Sequence, residues 1–207
     1  ILSELKKNRN DVSLIPLGDG PLKSSLLKRC SELGITYWDS DASEKFPDEF
    51  RDVYFLGYQP NPFAFISKAS LFVFPSAWEG FPLAMCEAMI CGTPVLASDC
   101  PTGPREIMIE GLKEDENDIV LPLVTDNGVL LPVISSSNDL QSWVSAIEQA
   151  LDDVEDRPVV VGRGVPIGVT LIAFGVGLGR EDVVGLGPIL GVRGGVFRVR
   201  SRLAREG

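Results

Sequence analysis

At 207 residues, with 44% hydrophobic and 23% charged side chains, the chain has the size and make-up of one globular domain with at most a small appendage. A formal net charge of -10 argues against non-specific binding to a nucleic-acid backbone, although backbone N–H groups in an acidic protein still bind small anions. The sequence has no histidine, which excludes an imidazole base and a histidine-containing zinc site, and no signal peptide or apolar run of membrane-spanning length is evident.

The chain opens at Ile1, in mid-pattern and without a methionine, as expected of a piece of a longer protein. Val12–Leu17 reads as a short buried strand. It runs into the turn Gly18-Asp19-Gly20-Pro21, and leucines 22, 26, 27 and 33 then fall near helical spacing until Gly34. Residues 36–52 are acidic and irregular and read as a solvated loop. Val53–Gly57 is a second strand, Asn61-Pro62 opens a helix to about Ala69, and Leu71–Phe74 is a third strand. After the turn Pro75–Pro82 comes a helix from Leu83 to about Cys91, ended by Gly92, and then a strand in Thr93–Ser98. Pro104–Ile109 is a short helix, 110–118 an acidic insert, and Gly128–Pro132 an edge strand. Leu140, Trp143, Val144, Ile147 and Leu151 form an apolar stripe on a helix capped by Asn138 or Asp139. Short apolar strands interleaved with helices predict an α/β fold, a Rossmann-like parallel sheet with helices on both faces. The cysteines, Cys30, Cys86, Cys91 and Cys100, show neither CxxC nor disulfide-framework spacing and read as buried thiols in a reducing cytoplasm.

Composition changes at Pro158. Residues 158–207 hold 12 glycines, 11 valines and seven arginines against three acids, a charge of +4, whereas residues 1–157 carry -14. Glycine at this density costs a helix roughly 1 kcal/mol per position, so no stable helix is expected. Two readings stand: a disordered or out-of-frame tail outside the core, and a Gly/Val-rich sheet segment. The expected organisation is therefore a domain over 1–157 followed by an atypical tail over 158–207.

The chemistry concentrates in Phe72–Ser98. Glu79 lies in the loop leaving a strand, and Glu87, eight residues on, lies in the following helix. The carboxyl end of a parallel strand, followed by a helix start, is where α/β folds bind ligands. Gly80 permits close backbone approach, the amides of Phe81, Leu83 and Ala84 are placed to meet an anion, and Pro82 stiffens the turn. Glu87 sits among Leu83, Ala84, Met85, Ala88 and Met89, where a carboxylate needs a partner such as a vicinal diol. Taken singly, each acid reads as an ordinary helix-start charge; the combination points to a site.

The phrase resembles the donor signature of retaining glycosyltransferases of the GT-B architecture, glycosyltransferase family 4 or glycosyl transferases group 1. Pro75-Ser76, Glu79-Gly80-Phe81, Glu87-Ala88-Met89, Gly92-Thr93-Pro94-Val95 and Ser98-Asp99 match its fixed elements. Leu17–Pro21, Phe55–Tyr58 with Asn61-Pro62, Pro101–Ile107 (Thr102 in a serine place) and Gly128–Pro132 match further phrases, so the resemblance covers about 12–155.

The resemblance implies that Glu87 grips the ribose hydroxyls of a nucleotide-diphosphate sugar and that Glu79 lies beside the sugar and the reacting centre. Gly80, Phe81, Pro82 and Leu83 would line the sugar and pyrophosphate, with Arg105 as a further donor contact. The family's arginine and lysine diphosphate clamp precedes the Leu17–Pro21 phrase, and Lys6 and Lys7 do not reproduce it. The N-terminal acceptor domain is expected to be missing, which leaves this piece inactive alone. No cofactor or metal is expected; Asp39-Ser40-Asp41 has the DxD form of metal-dependent enzymes, but it falls in the acidic loop away from the signature. The implied partners are a nucleotide sugar and a glycan or lipid-linked acceptor, with no nucleic acid. The expected location is the cytoplasm, with peripheral association of the complete protein at the inner face of the membrane. A non-catalytic Rossmann-like assembly module is the alternative reading, as is a nucleotide-sugar 2-epimerase, whose histidines this chain lacks.

Overall fold

The first half of the chain alternates short strands with short helices: α1 (Leu2–Leu5), β1 (Val12–Pro16), α2 (Lys23–Glu32), β2 (Tyr37–Asp39), β3 (Val53–Phe55), α3 (Phe63–Ile66) and β4 (Leu71–Phe74). There follow α4 (Leu83–Ile90), β5 (Val95–Ser98), α5 (Pro104–Met108), β6 (Leu123–Thr125), β7 (Gly128–Leu131) and α6 (Ser137–Asp153). The remaining strands are β8 (Val159–Val161), β9 (Val165–Ile167) and β10 (Val169–Ala173). The structure, a computed structural model, describes residues 1–109, 119–153, 159–161, 165–167 and 169–173.

Eight strands form one sheet in the order β2-β3-β1-β10-β4-β5-β7-β6, parallel except for the β6–β7 pair; β8 and β9 form a small antiparallel pair. The strands carry apolar residues at consecutive positions because both faces are covered. Phe72 and Phe74 pack with α3, α4 and α5 residues such as Ile66, Met85, Ala88 and Met108. Leu71 and Val73 point the other way, to Leu5 of α1 and to Trp143, Val144 and Ile147 of α6. Val53 and Phe55 meet Leu26, Leu27 and Cys30 of α2. The α/β fold with helices on both faces is therefore present as expected from the sequence. Gly34 and Gly92 close α2 and α4 at φ +66° and +72°, the left-handed positions that favour glycine. Among the described residues, no helix is long and apolar enough to cross a membrane.

Four local readings change. Within 36–52, read as loop, Tyr37–Asp39 pairs with β3 as an edge strand; its single turn of pairing is too short to show periodicity. Gly128–Leu131 is not the edge, because Leu123–Thr125 pairs outside it. The long helix starts earlier, capped by Ser136: the Ser136 hydroxyl accepts from the Asp139 amide, and the Asp139 carboxylate accepts from the Ser136 amide. Finally, the segment expected outside the core supplies a central strand. Val169–Ala173 lies between β1 and β4, parallel to both, with Leu171 and Ile172 buried. Three of its five residues are β-branched, and backbone partners on both sides outweigh the flanking glycines that dominate the local composition. The acidic insert 110–118 and, within 158–207, residues 158, 162–164, 168 and 174–207 lie outside the described residues.

Gly128 stands where β7 meets β5. Its φ is +143°, and a Cβ there would lie 2.1 Å from the carbonyl oxygen of Val95. Gly128→Ala therefore forces the two strands apart. We expect a loss of about 2–4 kcal/mol and a Tm lowered by about 5–15 °C, read by urea and thermal unfolding.

Candidate functional site

Parallel pairing brings the carboxyl ends of β1, β3, β4 and β5 to one edge of the sheet. From β1 the chain builds outward to β3 and β2; from β4 it builds the opposite way to β5 and β7. The direction of building thus reverses between β1 and β4, the usual ligand position in open α/β sheets. The loop after β1 is tied down by the Gly18 amide, which donates to the carbonyl of Gly57 beyond β3 at 3.1 Å.

The Pro75–Pro82 loop leaves β4 at this edge and carries Glu79. Ser98, buried at the end of β5, donates its hydroxyl to the Ser76 carbonyl. Ser76 in turn donates its own hydroxyl to Glu79 Oε1 at 2.7 Å. Further along, the Leu83 amide donates to the Phe81 carbonyl at 2.9 Å, so it is committed to a tight turn rather than to a ligand. The amides of Gly80 and Phe81 have no acceptor among the described residues. Pro82 is buried, whereas Trp78, Phe81 and Leu83 are exposed and give the loop an apolar outer surface.

Glu87 lies on α4, one turn after Leu83. Burial pushes its carboxyl up from the ordinary glutamate value, and no hydrogen bond or ion pair to it exists among the described residues. A half-buried carboxylate without a partner is costly in the free protein and ready to accept hydroxyl donors. Both acids singled out in the sequence thus belong to one strand–loop–helix unit, one braced and one unpaired.

Other candidates are engaged elsewhere. Arg105, at the start of α5, grips Asp99 through Nε at 2.8 Å and through Nη2, a bidentate pair that anchors α5 to the end of β5. Lys23 of α2 bridges Asp39 at 2.7 Å and Asp41 at 2.6 Å, so both acids of Asp39-Ser40-Asp41 are paired with one cation of the chain itself. Lys6 pairs with Asp52 and Lys7 with Glu4. No cluster of three or more acidic or cysteine side chains suited to a metal ion occurs among the described residues.

The sequence reading named Ser98 and Thr102 only as positions of the matched phrases and gave neither a role. Thr102 follows β5 and donates its hydroxyl to the Glu79 carbonyl, although its φ is +64°, the left-handed region. For a β-branched residue that conformation costs about 1–3 kcal/mol. The only sequence signal was its place beside Gly103 in the matched phrase.

Residues 1–153 match the family described as glycosyl transferases group 1. An uncharacterized glycosyltransferase of Methanocaldococcus jannaschii is 40% identical over 98 residues, 47% of this chain and 21% of that protein. From Campylobacter jejuni, the N-acetylgalactosamine-N,N'-diacetylbacillosaminyl-diphospho-undecaprenol 4-alpha-N-acetylgalactosaminyltransferase is 29% identical over 121 residues, 58% of this chain and 28% of that protein. The apo form of the lipopolysaccharide outer core galactosyltransferase WaaB resembles the structure with a TM-score of 0.47 at 20% identity, over 72% of this chain and 43% of that one. The chain thus spans well under half the length of the curated relatives it matches.

Glu87 gives a test on the free protein. Its folded pKa is raised, so its contribution to stability is fully present at low pH and is lost as pH rises through the folded value. Glu87→Gln should therefore raise Tm at neutral pH by about 1–3 °C, a modest gain because solvent screens a half-exposed charge. The gain should shrink to nothing in acid, where wild-type Glu87 is also neutral. Thermal unfolding from pH 4 to pH 8 reads it.

Proposed function

The chain belongs to the glycosyl transferases group 1 family, and from that premise we propose that it forms the nucleotide-sugar-binding side of a retaining glycosyltransferase of GT-B architecture. Glu87 is the observation that carries the reading. Its unpaired carboxylate, one helical turn into α4, meets the requirement of a ribose diol, which offers two hydroxyl donors to one carboxylate. The Gly80 and Phe81 amides then serve the sugar and diphosphate, with Pro82 and Leu83 shaping the turn. Glu79, held by Ser76, lies beside the anomeric carbon. As the bond from that carbon to the diphosphate breaks, negative charge grows on the departing oxygen, and fixed N–H dipoles stabilise it without reorganising. We take this departure to be metal-independent; the Lys23 bridge supports a structural role for Asp39 and Asp41. Arg105 acts through Asp99, as a brace of the site rather than a direct contact.

The acceptor in this reading is a glycan or a lipid-linked sugar. The Campylobacter relative's name describes transfer to a sugar on diphospho-undecaprenol, a lipid-linked acceptor. Acceptor binding belongs to a separate domain of the complete protein, which we place in the cytoplasm and peripherally at the inner membrane face. Transfer needs the acceptor hydroxyl about 3–3.5 Å from the anomeric carbon, and this one domain supplies a single wall of such a cleft.

Two outcomes test the proposal. Titration calorimetry with UDP-, GDP- and dTDP-linked hexoses should find a binder, and Glu87→Gln should weaken it by about tenfold or more, a charge-assisted bond being worth about 1.5–3 kcal/mol. A loss under threefold removes the ribose role from Glu87. The complete protein should transfer the sugar while this chain alone turns over at under about 1% of its rate, since positioning the two reactants contributes about 7–11 kcal/mol to such a barrier. A complete protein that binds the donor and transfers nothing would favour the non-catalytic module.

A further inference from the structure

Thr102 is the single non-glycine residue with positive φ among the described residues, and it faces the loop that carries Glu79. Its hydroxyl lies 2.5 Å from the Glu79 carbonyl oxygen and 2.6 Å from that of Pro101, so one proton ties the turn after β5 to the loop after β4. Beside it, Gly103 is at φ +95°, and a Cβ there would sit 2.5 Å from Pro82 Cδ and 3.4 Å from the Gly80 carbonyl oxygen. At Gly103 the turn therefore packs against the Pro82 ring, with no space for a side chain at that position.

The turn is itself held rigid from behind. The Gly103 amide donates to the Glu106 carboxylate, and Arg105 is locked onto Asp99. The Asp99 amide in turn donates to the Leu131 carbonyl of β7 at 2.7 Å. A β-branched residue persists in the left-handed region only where its surroundings over-determine it, and such residues gather at functional sites. Here the surroundings are the Glu79 carbonyl on one side and the anchored α5 start on the other.

We propose that Thr102 is a positioning residue: the Pro101–Gly103 turn clamps the Glu79–Pro82 loop and fixes the direction of its carboxylate and of its free Gly80 and Phe81 amides. Ser76 holds the Glu79 side chain and Thr102 holds its backbone, so the acid is fixed at both ends. This rests on the reading of the loop as the donor-binding segment, and the role is distinct from touching the donor.

Three substitutions separate the hydroxyl from the strain. Thr102→Ser keeps the hydroxyl, Thr102→Val keeps the branched shape without it, and Thr102→Gly removes both the hydroxyl and the steric penalty at φ +64°. In the ligand-free chain, hydrogen exchange of peptides covering residues 76–84 should speed up about fivefold or more in the Val and Gly variants and stay near wild type in Ser. Affinity for the nucleotide-linked hexose that wild type binds should fall about fivefold or more in the same two variants and recover in Ser. Thr102→Gly should do this with a Tm at or above wild type, an outcome that a merely structural role does not produce. Wild-type exchange in both Val and Gly would overturn the clamp, and faster exchange with unchanged affinity would overturn its role in positioning. If wild type bound none of the nucleotide sugars, the donor reading would fail, while the exchange data would still decide whether Thr102 holds the loop.

Discussion

Parallel strand pairing is the constraint on which the rest of this protein depends. It sends each connection between parallel strands across a face of the sheet, so both faces must be covered and the inner strands must be apolar along their length. It also delivers the strand ends, with the loops that leave them, to one edge. The loops after β1, β3, β4 and β5 meet there because their strands are parallel neighbours or near neighbours, whatever their own sequences. A short β4 buried at all four positions is enough to aim the Pro75–Pro82 loop at that edge.

Within this frame the site breaks local rules that the scaffold obeys. Ser13, Thr93 and Asp52 are buried with partners: Ser13 and Thr93 donate to the Arg51 and Ile66 carbonyls, and Asp52 takes Lys6 and Thr36. Glu87 has no such partner, and Thr102 keeps a backbone conformation that its side chain opposes. Both penalties sit within one strand connection of each other, at the edge where the fold presents its loops. Stability is given up locally at this edge, and such local penalties cluster at functional sites.

Much of this was legible in the sequence, for identifiable reasons. Strands β1, β4 and β5 and helices α2 and α4 announce themselves through apolar runs and terminal glycines, and the placing of Glu79 in the loop and Glu87 in the helix follows from them. What was hidden depends on tertiary partners. Tyr37–Asp39 becomes a strand only because β3 pairs with it. Val169–Ala173 sits among glycines that weigh against order, and only the backbone groups of β1 and β4 on either side make it a strand. Arg105 looked available because Asp99, six residues away across a turn, gave no periodic hint of the pair. The hydroxyl of Thr102 could not be connected to Glu79, 23 residues earlier, without the sheet that brings β4 beside β5.

The place of Val169–Ala173 in the middle of the sheet also sets an order of assembly. On a ribosome adding about 5–20 residues per second, roughly a hundred residues separate the emergence of β4 from that of its inner neighbour, a delay of about 5–20 s. Until then β1 with β3 and β4 with β5 are two half-sheets, each with an inward edge of open N–H and C=O groups. Such edges invite pairing with the wrong strand, including that of another nascent chain. The last strand among the described residues is thus the one that makes the two halves a single sheet.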